Sequence, residues 1–256
     1  MSRAFVDTLA VTRLEWRRLV VRPLAWVLAA FTLAWLAWVF TLLLGGFLAG
    51  QIQRAALPDG PGFTDLVSVP LLAQLAQLAF LVVPLLSMSV IAGERRNGTL
   101  PLLFAAGVPA ARIVLGKYLA IMGWLLLWLM LTLAMPLVLA HATRFDWGKL
   151  AAATLALVLL QGALAALGVA CSTFASHPAI AAAVALVITL LLFYVNLGAQ
   201  LAGITGGAIN WLAMSTHLQP LLRGLVSTAD VLWFVLLALL SLALATRRLG
   251  ADRERG

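Results

Sequence analysis

Between Glu94 and Lys117 the chain reads ERRNGTLPLLFAAGVPAARIVLGK, a charged and turn-rich segment flanked by long apolar stretches. An acid, three arginines and a lysine so close together could pair, move protons or hold phosphate. Phosphate binding is the weakest of these readings. VLGKY (114–118) contains a Gly-Lys pair, but it lacks the upstream glycine and the following hydroxyl of a nucleotide-binding loop. Metal chemistry is equally poorly served, because His141, His177 and His217 lie on different segments with no cysteine or carboxylate at ligand spacing. No GxSxG or HExxH occurs, nor a pair of acids inside an apolar run. The expected chemistry is therefore contact chemistry, with no catalytic residue, metal or cofactor in this chain.

The segment's punctuation predicts how it is built. Thr99 can cap a short helix that carries Leu100 and Pro101 in its first turn, where proline costs no hydrogen bond. Gly107 suits a left-handed helix end, and Pro109 restarts a helix that runs into the next apolar stretch. Leu100, Leu103 and Phe104 then share one side of the short helix. Such a helix can lie on anionic headgroups or dock into a protein, and spacing alone leaves both readings open.

The elements that position this segment are set by composition. The chain is 64% hydrophobic and only 10% charged, with a mean hydropathy of +1.07. Soluble domains carry about a quarter charged residues, so the bilayer is the expected solvent. Six apolar stretches reach the roughly 20 residues that a spanning helix needs. They cover 24–48, 67–91, 112–140, 150–174, 179–201 and 229–246. With both termini inside, thirteen of the 17 lysines and arginines fall on inner segments, which favours an N-in, C-in arrangement. That bias, rather than a basic face, accounts for the net charge of +8 and argues against nucleic acid.

The expected fold class is an all-α integral membrane protein, a single transmembrane domain over 1–256. Residues 1–23 read as an amphipathic inner-face helix, with Arg13, Arg17, Arg18 and Arg22 around Leu14 and Trp16. Residues 57–63, 143–148 and 203–210 are turns. The 202–228 segment is too apolar for an exposed loop and too broken for a span, and reads as a short re-entrant or interface-lying hairpin. The single cysteine, Cys171, reads as a small buried hydrophobe.

Some polar residues interrupt the spans. Gln74 and Gln77 share a helix face and serve either as helix–helix contacts or as part of a polar path. Gln161 reads as a helix–helix contact, and Asn196 as a residue that could line an exit. Arg223 and Asp230 are costly if buried singly, so their pairing is expected to brace the 202–228 hairpin against the last span.

The segment that opened the sequence resembles the motif of type-2 ATP-binding cassette (ABC) permeases. Glu94, Arg95, Gly98, Thr99, Leu100, Leu102, Leu103, Gly116 and Lys117 match that pattern. Pro101 stands where the family often has an acidic residue, and the proline of the elbow is displaced to Pro109. A second patch, HLQPLLRGLVSTADVLWF (217–234), is similar to the gliding-motility branch of the family through His217, Arg223, Gly224 and Asp230. The resemblance implies a multi-pass permease subunit of the inner (cytoplasmic) membrane, working as an exporter. Glu94 to Lys117, including Arg96 and Phe104, would couple it to a separate ABC ATPase that holds the ATP and Mg. A second permease subunit, identical or related, would complete the path. The alternative is a mechanotransmission subunit that acts on a membrane partner with a large extracytoplasmic domain and moves no solute.

Overall fold

A computed structural model of the chain describes residues 3–51, 60–105, 107–201, 203 and 207–255. Arg54, part of the 57–63 turn, part of the 203–210 turn and the start of the 202–228 hairpin lie outside the described residues.

The described elements are all helical. Helix α1 covers Arg3–Val21, α2 Pro23–Ala49 and α3 Val69–Ser87. The short α4, Ala92–Arg96, and α5, Leu100–Ala105, follow. Then come α6 over Ala110–Leu137, α7 over Trp147–Phe174 and α8 over Pro178–Leu201. Two short helices, α9 over Gly207–Leu212 and α10 over Met214–Leu222, precede α11 over Thr228–Arg255. Among the described residues, six helical stretches are long and apolar enough to cross a membrane, one for each stretch expected from the sequence.

The helix ends follow from local chemistry. Pro23 sits in the first turn of α2, where its missing N–H is no loss. Asp146 caps α7, its carboxylate accepting from the Lys149 N–H at 3.1 Å. A π-helical turn over Thr64–Ser68 leads into α3. The second span is broken near its inner end. Pro84 lies inside α3, the helix ends at Ser87, and the chain turns before α4. Proline removes one helical hydrogen bond and crowds the preceding turn. The last helix continues past 246, where the apolar stretch stops. Its charged final turns are held by an Arg248–Asp252 pair at 3.6 Å, one helical turn apart, and by Arg95 reaching Asp252.

Helices α3 and α7 are the buried centre, while α2, α8 and α11 expose most of their surface. Small residues let α7 serve that role. Ala153, Ala156, Ala163, Ala165 and Ala166 are fully buried along it. At Gly168 the neighbouring helix comes so near that an added Cβ would lie 1.9 Å from the Ser87 hydroxyl. Around this centre runs one continuous apolar cluster that reaches α6, α10 and α11.

Candidate functional site

Both chain ends meet the 94–117 segment at one end of the bundle. Helix α1 runs along the start of α6 in the same direction. Asp7 accepts from Arg112 at 2.6 Å, Val11 faces Gly116, Glu15 meets Lys117 at 2.8 Å, and the Trp16 ring edges Trp124 at 6.2 Å. Gly116 makes this path passable: a Cβ there would stand 2.8 Å from the Val11 side chain.

The crossing closes an alternating ring of four charges. The Lys117 ammonium, buried completely, donates to Glu15 Oε1 at 2.8 Å and pairs with Glu94 Oε1 at 2.9 Å. Its third proton goes to the Val90 carbonyl at 2.9 Å. Arg18 closes the ring from the other side, 2.8 Å from Glu15 Oε1 and 2.7 Å from Glu94 Oε1. Two acids and two bases alternate, so the group is neutral as a whole, with Lys117, Glu15 and Glu94 buried and Arg18 partly exposed at its edge. Burial alone lowers the pKa of Arg18, but the hydrogen bond to Glu94 and the fields of both carboxylates outweigh it and raise the pKa. Beside the ring lies a polar cavity of about 270 Å³, bordered by Arg22, Ser89 and Thr99. The buried Glu94 Oε2 has no hydrogen-bond partner among the described residues. Arg22 bonds the Ser89 hydroxyl across the helix break.

The break itself is knitted by a residue about eighty positions away. Ser172 of α7 accepts from the N–H groups of Ile91 and Ala92 at 3.0 and 2.9 Å and donates to the Met88 carbonyl at 3.0 Å. One hydroxyl thus satisfies three backbone groups that the broken helix leaves open. Arg95 extends the same web, donating to the Thr173 and Ala175 carbonyls at 2.7 and 2.8 Å while it bonds Asp252.

On this frame sits the short helix α5. Gly98 and Gly107 bracket it with positive φ of 68° and 72°, the left-handed conformation that side-chain-bearing residues disfavour. Pro109 is extended and α6 starts at the next residue. The Thr99 hydroxyl bonds back to the Glu94 carbonyl at 3.4 Å. Leu100 is buried, and Leu103 and Phe104 pack on the core. Leu102 is 69% exposed, and Arg96, Pro101 and Ala105 are exposed as well. The motif residues thus divide. Glu94, Arg95, Gly116 and Lys117 face inward to the frame, while Arg96, Gly98 and Leu102 face out.

The other sequence candidates lie elsewhere. Gln74 is half-buried and Gln77 exposed on α3. Asn196 reaches Thr216 at 3.4 Å, and no hydrogen bond among the described residues joins it to either glutamine. Gln161 is fully buried, yet neither end of its amide has a partner among the described residues. The expected Arg223–Asp230 brace is corrected. Asp230 pairs with His217 at 2.7 Å, whose other ring nitrogen is 2.9 Å from the Trp211 carbonyl. Arg223 ends α10 just before Gly224, whose φ of 92° turns the chain, and its side chain is exposed.

Glu15, Arg18 and Ser172 are the frame residues that motif reading misses. For Glu15 a signal exists: Val11, Glu15 and Leu19 recur every four residues and are all buried, so an acid stands in the middle of an apolar helix stripe. A family profile described as ABC-2 family transporter protein matches residues 58–246. No curated protein matches the chain at a significant level.

Proposed function

The chain belongs to the ABC-2 family of transporter proteins and is a permease subunit of an ABC transporter; from that premise we propose that it works as an exporter driven by a separate ATPase docked on the 94–117 segment. The observation that carries the reading is the outward presentation of Leu102 from a short helix whose base is locked to three long helices. An apolar side chain left exposed at that end of the bundle suits a groove in a partner protein better than water. A push on α5 would pass to α6 through Lys117, to α7 through Ser172 and to α11 through Arg95. ATP in the partner shifts the permease only if the docked surfaces differ in free energy between two states.

The reading places ATP and Mg in the partner and none in this chain. It places the chain in the inner membrane with a second permease subunit across the path. The 217–234 patch supports a position near the gliding-motility branch, which keeps a membrane partner with a large extracytoplasmic domain within the proposal.

The test is Leu102→Ala, an exposed position whose truncation should change stability by less than about 0.5 kcal/mol. Copurification of the partner ATPase should fall while the yield of folded permease holds. Full retention of a coupled ATPase by this variant and by a 99–106 deletion would falsify the docking assignment. ATPase turnover that no solute stimulates, with the complex intact, would turn the reading to mechanical coupling.

A further inference from the structure

An apolar slot of about 350 Å³ opens at the inner end of the bundle among α7, α8 and α11. Three helix faces form it. Leu167, Ala170, Cys171 and Phe174 lie on one side of α7. Ile180, Val184 and Ile188 recur every four residues on α8. Ser241 and Leu244 come from α11. From Ile180 to Ile188 the slot runs about 12 Å at the helical rise of 1.5 Å per residue. Its volume equals about a dozen groups of water size, at roughly 30 Å³ each. Phe174, Ile180, Val184 and Leu244 are all exposed along its edge. The slot therefore opens on the outer surface of the helices and is not sealed inside the chain.

Its rim is basic. Arg248 follows Ser241 and Leu244 on the same face of α11. Its guanidinium stands 5.8 Å from the centroid of the Phe174 ring that forms part of the wall. Its Nε is buried and without a hydrogen-bond partner among the described residues. Asp252 is 3.6 Å from Arg248 and is held more closely by Arg95. Two arginines share one carboxylate, so a positive charge is left over at the mouth. Arg247 adds another nearby and is exposed.

We propose that this slot binds one acyl chain of an anionic glycerophospholipid, with the headgroup phosphate paired to Arg248. An apolar trough of chain length beneath an undercompensated guanidinium matches an amphiphile with an anionic head. A second copy of this chain fits less well, because it would bring its own basic inner end, to which the charge bias assigns thirteen of the 17 lysines and arginines. The cytoplasmic leaflet, to which that bias assigns this end, is also where anionic lipids create a negative surface potential.

The experiment uses the full chain in phosphatidylglycerol vesicles doped with phosphatidylglycerol that carries a diazirine near its acyl terminus. After photolysis, label should concentrate on 167–188 and 241–244. Val184→Trp, which fills the slot, should cut that label by about fivefold, while Arg248→Gln should bring the preference for phosphatidylglycerol over phosphatidylcholine close to parity, about a fivefold loss of discrimination. Label spread evenly over α2, α8 and α11 and unmoved by Val184→Trp overturns the proposal. So does an Arg248→Gln chain that keeps its headgroup preference. A disulfide between the Cys171 residues of two copies, the only cysteine each has, puts a second copy there and also overturns it. If the tryptophan variant does not fold, native mass spectrometry of the unaltered chain decides: retained phosphatidylglycerol supports the site, and equal retention of phosphatidylcholine removes it.

Discussion

The two ends of the bundle are tied together by opposite means. At the inner end a ring of charges, Glu15, Arg18, Glu94 and Lys117, joins α1, α4 and α6 at distances of 2.7–2.9 Å. At the outer end the joint is made of faces. Phe63 packs on Phe47 at 5.3 Å and on Phe145 at 5.1 Å, and Phe145 stacks on Trp147 at 5.5 Å. Two polar contacts flank the rings, Thr64 with the Asp146 N–H at 2.9 Å and Lys149 with Asp65 at 2.9 Å. Aromatic contacts hold over a range of separations and tilts, so helices joined by them can slide and stay in contact. A buried ion ring has one good geometry and a steep cost for leaving it. The ring is therefore the stiffer joint, and the aromatic contacts are the more forgiving one.

Five substitutions probe that contrast and the His217–Asp230 pair. Lys117→Met should be the most damaging, because it leaves two buried carboxylates sharing one arginine. Removing one partner of a buried ion pair costs about 3–5 kcal/mol, read as a lowered denaturation midpoint of the purified chain in mixed micelles. Adding Glu15→Gln to it restores neutrality and should recover much of the loss; a double variant no better than the single one removes the ring as the cause. His217→Ala should come next, at about 1–3 kcal/mol, since it strips Asp230 of its buried partner. Arg223→Gln should leave the midpoint unmoved, and a loss as large as that of His217→Ala would restore Arg223 as the brace. Phe145→Leu should be milder than Lys117→Met, about 0.5–1.5 kcal/mol beyond the lost area, with ATPase association unchanged. If Phe145→Leu outweighs Lys117→Met, the contrast between the two ends fails.

Much of this is legible in the sequence, and the rest is hidden for physical reasons. Hydropathy reveals the spans because each must satisfy the same solvent. It does not reveal the break after Ser87, since the turn residues Met88, Val90 and Ile91 are as apolar as a helix would be, and the hydroxyl that makes the turn tolerable is on Ser172. The tail beyond 246 reads as a charged end, yet Arg95 and Arg248 on Asp252 hold it helical. Glu94 and Lys117 are recognisable as a motif, but not as mutual partners of Glu15 and Arg18, because the crossing depends on Gly116 admitting Val11. The exposed position Pro101 departs from the family pattern while the inward residues Glu94, Gly116 and Lys117 keep it. The inward residues answer to this chain's own packing.

The 102 positions between Glu15 and Lys117 also impose an order on biosynthesis. At ribosomal rates of about 5–20 residues per second, α1 leaves the ribosome about 5–20 seconds before the lysine that completes its ring. During that interval Glu15 has only Arg18 for company, so α1 must wait at the membrane surface without its final site. Lys117 in turn enters with the third span as a charge that only the waiting helix and Glu94 can neutralise. The ring can thus close before the second half of the chain is made, provided the first helix is still free to dock.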